Sequence, residues 1–306
     1  MERGGRQMWR LSYANGIRLW GGLFVAPAVT IFVIFKYIPM AWAMWLSLSS
    51  YDLLTPPRFI GLDNYEGLAK DALFTQALEN TFTYVIGSTI PIWIVGLLLA
   101  LVFASRNQYS VWSRVWSNFF MSALFLTNVM PVLVAAVVWK FLYHPAGLIN
   151  EILRQLGVAR IDWLTDQHTA MPAMILVTVW RFAPYFMLVF LAGLLAIPRD
   201  YYEAAALDGA GVRQQFRSIT LPSLAPVMGF VIVVSVLLTA RIFLMPFVMT
   251  QGGPGGATRV LAMYIYENGF TYLKMGRAAA ASVILFAIVL LFTALQLRLF
   301  KEAEET

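Results

Sequence analysis

Side chains able to do covalent or acid–base chemistry are scarce in this chain. Its 306 residues hold 16 carboxylates, two histidines and no cysteine. Every Asp and Glu reads as lying in a loop or at the edge of an apolar run, so no carboxylate is available for proton coupling or proteolysis inside a bilayer. His144 and His168 share one loop without the His-Glu-x-x-His spacing of a metal site, and a loop histidine is more often solvated than a ligand. There is no Gly-x-Ser-x-Gly nucleophile elbow. Without cysteine there is no disulfide and no thiolate metal site. The five lysines follow Phe35, Ala69, Trp139, Leu273 and Phe300, so none completes the Gly-Lys-[Ser/Thr] of a phosphate-binding loop. An enzyme is not what these residues describe.

The elements that carry them are apolar and long. The chain is 60% hydrophobic and 12% charged, with a mean hydropathy of +0.71. A soluble domain of this size exposes too much surface to carry so few charges. About 20 apolar residues in a helix span the hydrocarbon, and only helices or closed barrels satisfy the backbone there. Uninterrupted runs exclude barrel strands, which alternate. Six spans are expected: Leu19–Trp42, Phe82–Ala104, Trp116–Leu142, Met171–Leu194, Leu224–Met249 and Ala278–Phe300. The first is too long for a removed signal peptide. The fold class is therefore an all-α membrane protein. Whatever it moves is driven by the solute's own gradient or by a partner.

The net charge of +6 is distributed unevenly. With both termini cytoplasmic, more basic residues fall on the inner side than on the outer, as the positive-inside bias requires. The basic balance then reflects topology, not nucleic acid. Residues 1–18 read as a cytoplasmic interfacial segment, with Met8–Trp20 either a short helix on the inner leaflet or a solvated tail. Residues 19–300 form one membrane domain, and 301–306 a cytoplasmic tail. Outer loops carry Pro56-Pro57, and a short amphipathic helix is expected near Asn150–Leu156.

The inner loop 197–223 is the most informative segment. Asp200 and Glu203 have capping-box spacing. Ala204, Ala205 and Ala206 make a helix of little bulk, suited to another protein's groove. Gly209 and Gly211 stop it, a second short helix runs through Phe216, and Pro222 suits the first turn of the next span. The pattern Glu203-Ala204-Ala205, Gly209, Ile219-x-Leu221-Pro222 resembles the EAA loop of bacterial ABC importer permeases at the family spacing. Similarity to the maltose-permease-like sugar branch extends along the chain: Phe59-Ile-Gly-Leu-Asp-Asn-Tyr65, Trp139-Lys-Phe-Leu-Tyr143, Trp180-Arg-Phe-Ala-Pro184, Thr250-Gln-Gly-Gly-Pro-Gly255 and Gly276-Arg-Ala-Ala-Ala280.

That resemblance implies six transmembrane helices in a MetI-like permease bundle, multi-pass in the bacterial plasma membrane, with a cytoplasmic coupling helix. It implies a second, homologous permease, a dimer of ATPase subunits holding ATP and Mg, and an extracytoplasmic substrate-binding protein. This chain itself would bind no cofactor. Coupling to the ATPase is assigned to Glu203, Ala204, Ala205, Asp208, Gly209, Ile219, Leu221 and Pro222. Aligned motifs place a substrate path at Asn128, Thr178, Arg181, Phe182, Tyr185, Ser235 and Thr239, of which Tyr185 and Ser235 keep the family's side-chain type. A bundle-core role is the alternative for most of these. Arg181 and Arg241 lie in or near spans, answering either an anionic group on the solute or helix-end carbonyls and the partner permease. Leu244 stands where the family habitually carries Asp. The expected solute is a carbohydrate, with a sugar phosphate, polyol or other solute as alternatives, and an ATP-independent channel as a rival class.

Overall fold

The computed structural model describes residues 20–106 and 111–304. The expected interfacial segment before Trp20 lies outside the described residues. Helix α1, Trp20–Ser47, starts the described chain. It contains a π-turn at Val33–Tyr37, immediately before Pro39. A proline ring clashes with the carbonyl four residues back, and a widened turn relieves that contact. None of the most apolar stretch of α1 is buried within the chain; only its last turns pack, along the final helix.

A two-residue antiparallel ladder follows, β1 (Ser49–Ser50) against β2 (Arg58–Phe59). Helix α2 (Asp63–Ala69) leads to α3 (Ala72–Arg106). At 1.5 Å per residue, α3 is roughly 50 Å long and extends beyond the hydrocarbon at its ends. It packs most extensively against α7 (Ala170–Ala196). Gly96 is the reason they approach closely: a Cβ there would stand 3.4 Å from the Ala183 carbonyl oxygen and the Met187 nitrogen. Small residues at such crossings let two backbones meet.

The expected third span is not one helix. Helices α4 (Val111–Val129) and α5 (Val132–Leu142) meet at 102°. Pro131 disfavours helical backbone at Met130, and the ladder breaks there. Next come the short amphipathic α6 (Leu148–Gln155), close to the expected position, and α7. The loop helix α8 (Arg199–Leu207) and the helix α9 (Val212–Ser223) precede α10 (Ala225–Ala240), which is bent 63° from α9. A π-turn at Phe216–Thr220 precedes Pro222 as the first precedes Pro39. Pro222 therefore sits in the last turn before the bend, and Pro226 opens α10. The fifth span ends at Ala240, not Met249: residues 241–243 break the helix, and Leu244–Met249 forms a separate helix, α11. Helix α12 (Leu261–Tyr266) and α13 (Met275–Glu304) complete the chain.

Among the described residues, four helices are thus long and apolar enough to cross a bilayer alone, and counting each of the two bent pairs as one span brings the number to six. The start of α7 and its end lie about 40 Å apart, so α6 and the 157–169 loop sit at the opposite end of the bundle from α8. At the α6 end a polar clamp joins three elements. Arg277 Nη2 meets Asp71 Oδ2 at 2.5 Å, Tyr264 OH donates to the same oxygen at 2.6 Å, and Arg277 Nε donates to Tyr264 OH at 3.0 Å. Burial pushes the Asp71 carboxyl up, but the Tyr264 hydroxyl, the Leu73 amide and the Arg277 charge together hold it below its ordinary value. Burial, with the bond to Asp71, pushes the Tyr264 hydroxyl up to about 12.

Candidate functional site

Two sets of residues were expected to carry function, and they lie in very different surroundings. The first set projects from the body. Helix α8 begins after Pro198, whose extended backbone makes it the N-cap. Asp200 is consequently inside the helix, two residues past the cap, and the expected capping box does not form. Its carboxylate instead lies in the first turn, where the helix dipole favours negative charge. The other end follows expectation. Gly209 takes a left-handed backbone, φ +80. Its amide donates to Ala206 O at 3.1 Å, and the Ala210 amide donates to Ala205 O at 2.8 Å. These two bonds are a Schellman stop, which satisfies the last carbonyls and turns the chain.

Between cap and stop, Glu203, Ala204, Ala206, Asp208 and Gly209 are exposed and Ala205 is half-buried. Leu207 is 90% exposed and Val212, just beyond the turn, 83%. Isolated exposed apolar residues are ordinary; here two of them stand at one tight turn between two short helices. The turn is held from behind: Tyr202 OH and Thr220 Oγ1 are 2.9 Å apart, and Gln215 Nε2 donates to Ala210 O at 3.0 Å. Ile219 is half-buried, and Leu221 and Pro222 are exposed on α9. The loop is a firm knob, made of small residues with a carboxylate on each side of its apolar tip.

The second set lies inside the bundle. Thr178, Arg181, Ser235 and Thr239 are buried, while Asn128, Phe182 and Tyr185 keep some exposed surface. Arg181 occupies the break between α4 and α5. Its guanidinium donates to Met130 O at 2.7 Å, Thr127 O at 3.2 Å and Asn128 O at 3.5 Å, and Asn128 Nδ2 donates back to Arg181 O at 3.1 Å. A helix interrupted at that depth leaves its last carbonyls without partners, and a guanidinium has the donors to satisfy several at once. No carboxylate pairs with Arg181 among the described residues, and its Nε has no partner. Arg241 likewise donates from Nε to Leu237 O, at 3.1 Å, at the end of α10.

Thr178 and Tyr84 share a short hydrogen bond, and Thr178 Oγ1 also reaches Met245 Sδ at 3.4 Å. Ser235 accepts from Trp93 Nε1 at 2.7 Å, and Thr239 Oγ1 donates back to Ser235 O at 2.9 Å. Sequence reasoning missed both partners, Tyr84 and Trp93. They stand nine residues apart on α3, about half a turn out of phase, so α3 sends one towards α7 and the other towards α10. The available signal was a phenol and an indole deep in an apolar run, where each polar tip needs a partner. No hydrogen bond joins the Arg181 group to the Ser235 group among the described residues.

A family model described as "Binding-protein-dependent transport system inner membrane component" matches residues 81–303, which include α8 and both polar groups. The chain belongs to this family. It is the multi-pass, membrane-embedded component of such a system. It is 38% identical over 288 residues to the "Probable ABC transporter permease protein YurN" of Bacillus subtilis, covering 92% of this chain and 96% of that one. It is 38% identical to the "sn-glycerol-3-phosphate transport system permease protein UgpA" of Escherichia coli O157:H7 over 90% of this chain and 92% of that one. The "Sulfoquinovosyl glycerol transport system permease protein SmoG" of Agrobacterium fabrum is 32% identical over 94% and 92%. Among solved structures, a chain of a bacterial ABC transporter "involved in the import of the acidic polysaccharide alginate" superposes with a TM-score of 0.81. It covers 97% of this chain and 99% of that one at 23% identity, a likeness of fold. The MetI-like permease bundle expected from the sequence is the fold of this permease.

Proposed function

We propose that the permease is one of two related membrane subunits of an ABC importer for a carbohydrate or an acidic carbohydrate derivative. In this reading both termini and α8 face the cytoplasm. A pair of ATPase subunits, which hold ATP and Mg, receives α8 in a cleft, and an extracytoplasmic binding protein delivers the solute at the α6 end. The observation that carries the reading is the knob at 203–212: a turn held from behind that exposes Leu207 and Val212 together with Glu203 and Asp208. Nothing inside the chain explains why such a surface is kept apolar. Closure of an ATPase dimer around it would swing the bundle between two rigid states.

The alignment-derived path is part of the same proposal. Asn128, Phe182 and Tyr185 offer an amide and two rings, and Thr178, Arg181, Ser235 and Thr239 would become accessible in the alternate state. Rings stack on sugar C–H faces while hydroxyls need donors and acceptors. The relatives named for glycerol-3-phosphate and sulfoquinovosyl glycerol handle anionic polyols, which favours an acidic derivative as this permease's solute.

Because the chain has no cysteine, one introduced at Ala206 gives a unique crosslinking site. In assembled transporter, Ala206→Cys is expected to crosslink to the ATPase, with a yield that changes on nucleotide binding. Labelling of that cysteine only from outside intact cells, with no ATPase adduct, overturns the reading.

A further inference from the structure

A second polar site lies far from the coupling knob. At the α6 end, the end of α5, the 162–165 turn and the residues after α11 enclose a cleft of about 310 Å³. That volume is at the low end for small-molecule sites, suited to a ligand of monosaccharide size or less. A second cavity, about 210 Å³ between α3, α10 and α13, is lined by apolar side chains and Thr81, and the Thr81 hydroxyl is already engaged. Of these two, the first is the one that offers free partners to a polar group.

Its walls carry unused donors. Lys140 Nζ makes one hydrogen bond, to Val248 O at 3.1 Å, and has no carboxylate within 4.0 Å among the described residues. The carboxylate in the cleft, Asp162, is neutralised by Arg160 at 2.8 Å. The cleft therefore keeps the lysine's positive charge. Trp163 Nε1 is buried without a hydrogen-bond partner. His144 accepts the Ala146 amide on Nδ1 at 3.2 Å, leaving Nε2 uncommitted. The rings of Tyr143 and Trp163 meet at 5.3 Å, tilted by 37°, as an aromatic wall. Gln251 on the rim holds φ +52, a backbone that glycine adopts more easily. A residue kept against its backbone preference beside a cleft points to a use for its side chain.

We infer that this cleft is an entry subsite for the oxyanion of an acidic polyol, with Lys140 on the anion and Trp163 and Gln251 on the adjoining oxygens. It rests on the reading of this end of the bundle as the side where solute arrives. Two sources share the chemistry, a free glycerol-phosphate-like solute and the headgroup of an anionic phospholipid, and the structure assigns the former: apart from Lys140 and Met249 in the last turns of α5 and α11, the cleft is lined by loop residues.

The test is equilibrium binding of sn-glycerol 3-phosphate, with glycerol as the neutral control, to the assembled transporter in phosphatidylcholine nanodiscs. Binding is read without the binding protein and without turnover, so failure of coupling cannot mask it. Glycerol 3-phosphate is expected to bind in preference to glycerol. Lys140→Gln should weaken it about ten-fold or more, the usual worth of a charge-assisted hydrogen bond. Trp163→Phe keeps the ring and removes the donor, so it should weaken binding several-fold, while Gln251→Gly relaxes the backbone and should also weaken it. Affinity for glycerol 3-phosphate unaltered by Lys140→Gln overturns the site. So does Lys140-dependent retention of phosphatidylglycerol with no binding of the free phosphate, which would make the cleft a lipid site.

Discussion

Replacement of Gly209 tests the coupling knob at its most constrained atom. The residue has φ +80, and nothing lies within 4 Å of the position a Cβ would take. A side chain there meets open space, so the cost lies in the backbone alone. An L-residue in the left-handed region costs about 1–2 kcal/mol, more when β-branched, while asparagine tolerates it. The Schellman bonds from Gly209 and Ala210 stabilise the turn by ~1 kcal/mol each, and a backbone forced to ordinary φ forfeits them. Gly209→Val should therefore destabilise the turn by roughly 2 kcal/mol, the cheaper of the two routes, enough to leave it mostly unformed when its own stability is small. Gly209→Asn should lose a fraction of that. In reconstituted transporter, solute-stimulated ATPase activity and uptake should fall together in the order glycine, asparagine, valine, with basal ATPase activity retained. Wild-type stimulation and uptake in Gly209→Val refutes the assignment. Equal loss in Asn and Val refutes the backbone argument, because the partner's space and not φ would then be limiting.

Other perturbations have equally direct outcomes. A Cβ on Gly276 would overlap the Ser49 carbonyl oxygen, which is backbone and cannot move aside; Gly276→Ala should cost about 1–3 kcal/mol or more and lower the melting temperature, whereas Gly67→Ala, with open space around it, should not. The Asp71 carboxyl is held below 3.8 in the fold, so its contribution is fully present above that pH and lost as pH falls through the lower folded value. The melting-temperature gap between wild type and Asp71→Asn should be constant near neutrality and close below about pH 4. Arg181→Met leaves the carbonyls at the α4–α5 break bare and should cost roughly 2–4 kcal/mol; Arg181→Lys restores part of this, and full stability in Arg181→Met rules out the clamp. Trp93→Phe and Ser235→Ala should show a coupling of ~1 kcal/mol in a double-mutant cycle of thermal unfolding, and additivity would show the bond to be inert.

Much of this was legible in the chain because hydrophobicity reports where a helix can lie in a bilayer. What it reports poorly is continuity. The run from Trp116 to Leu142 averages apolar along its length, yet it turns by 102°. Pro131 carried that information through its effect on Met130, but a hydropathy window averages it away. The break at residues 241–243 had a signal as well, in Pro246, whose ring would clash with the Ile242 carbonyl four residues back in a continuous helix, and the apolar run hid it. At α8 the spacing of Asp200 and Glu203 suggested a cap, whereas the fixed φ of Pro198 started the helix earlier. Gly209 was readable because only one backbone conformation explains a glycine there. The path residues were placed by resemblance, and their hydrogen-bond partners on α3 depend on helix rotation, which an all-apolar face does not encode.

The joint between α4 and α5 is fastened by a guanidinium and not by an ionisable pair. Arginine keeps its charge at every pH a cell encounters, and the carbonyls it holds do not titrate. A lysine or a carboxylate in that position would make the angle of the broken helix responsive to acidity. With Arg181 in place, this fastening is indifferent to acidity, and an influence of external pH on transport would have to act elsewhere.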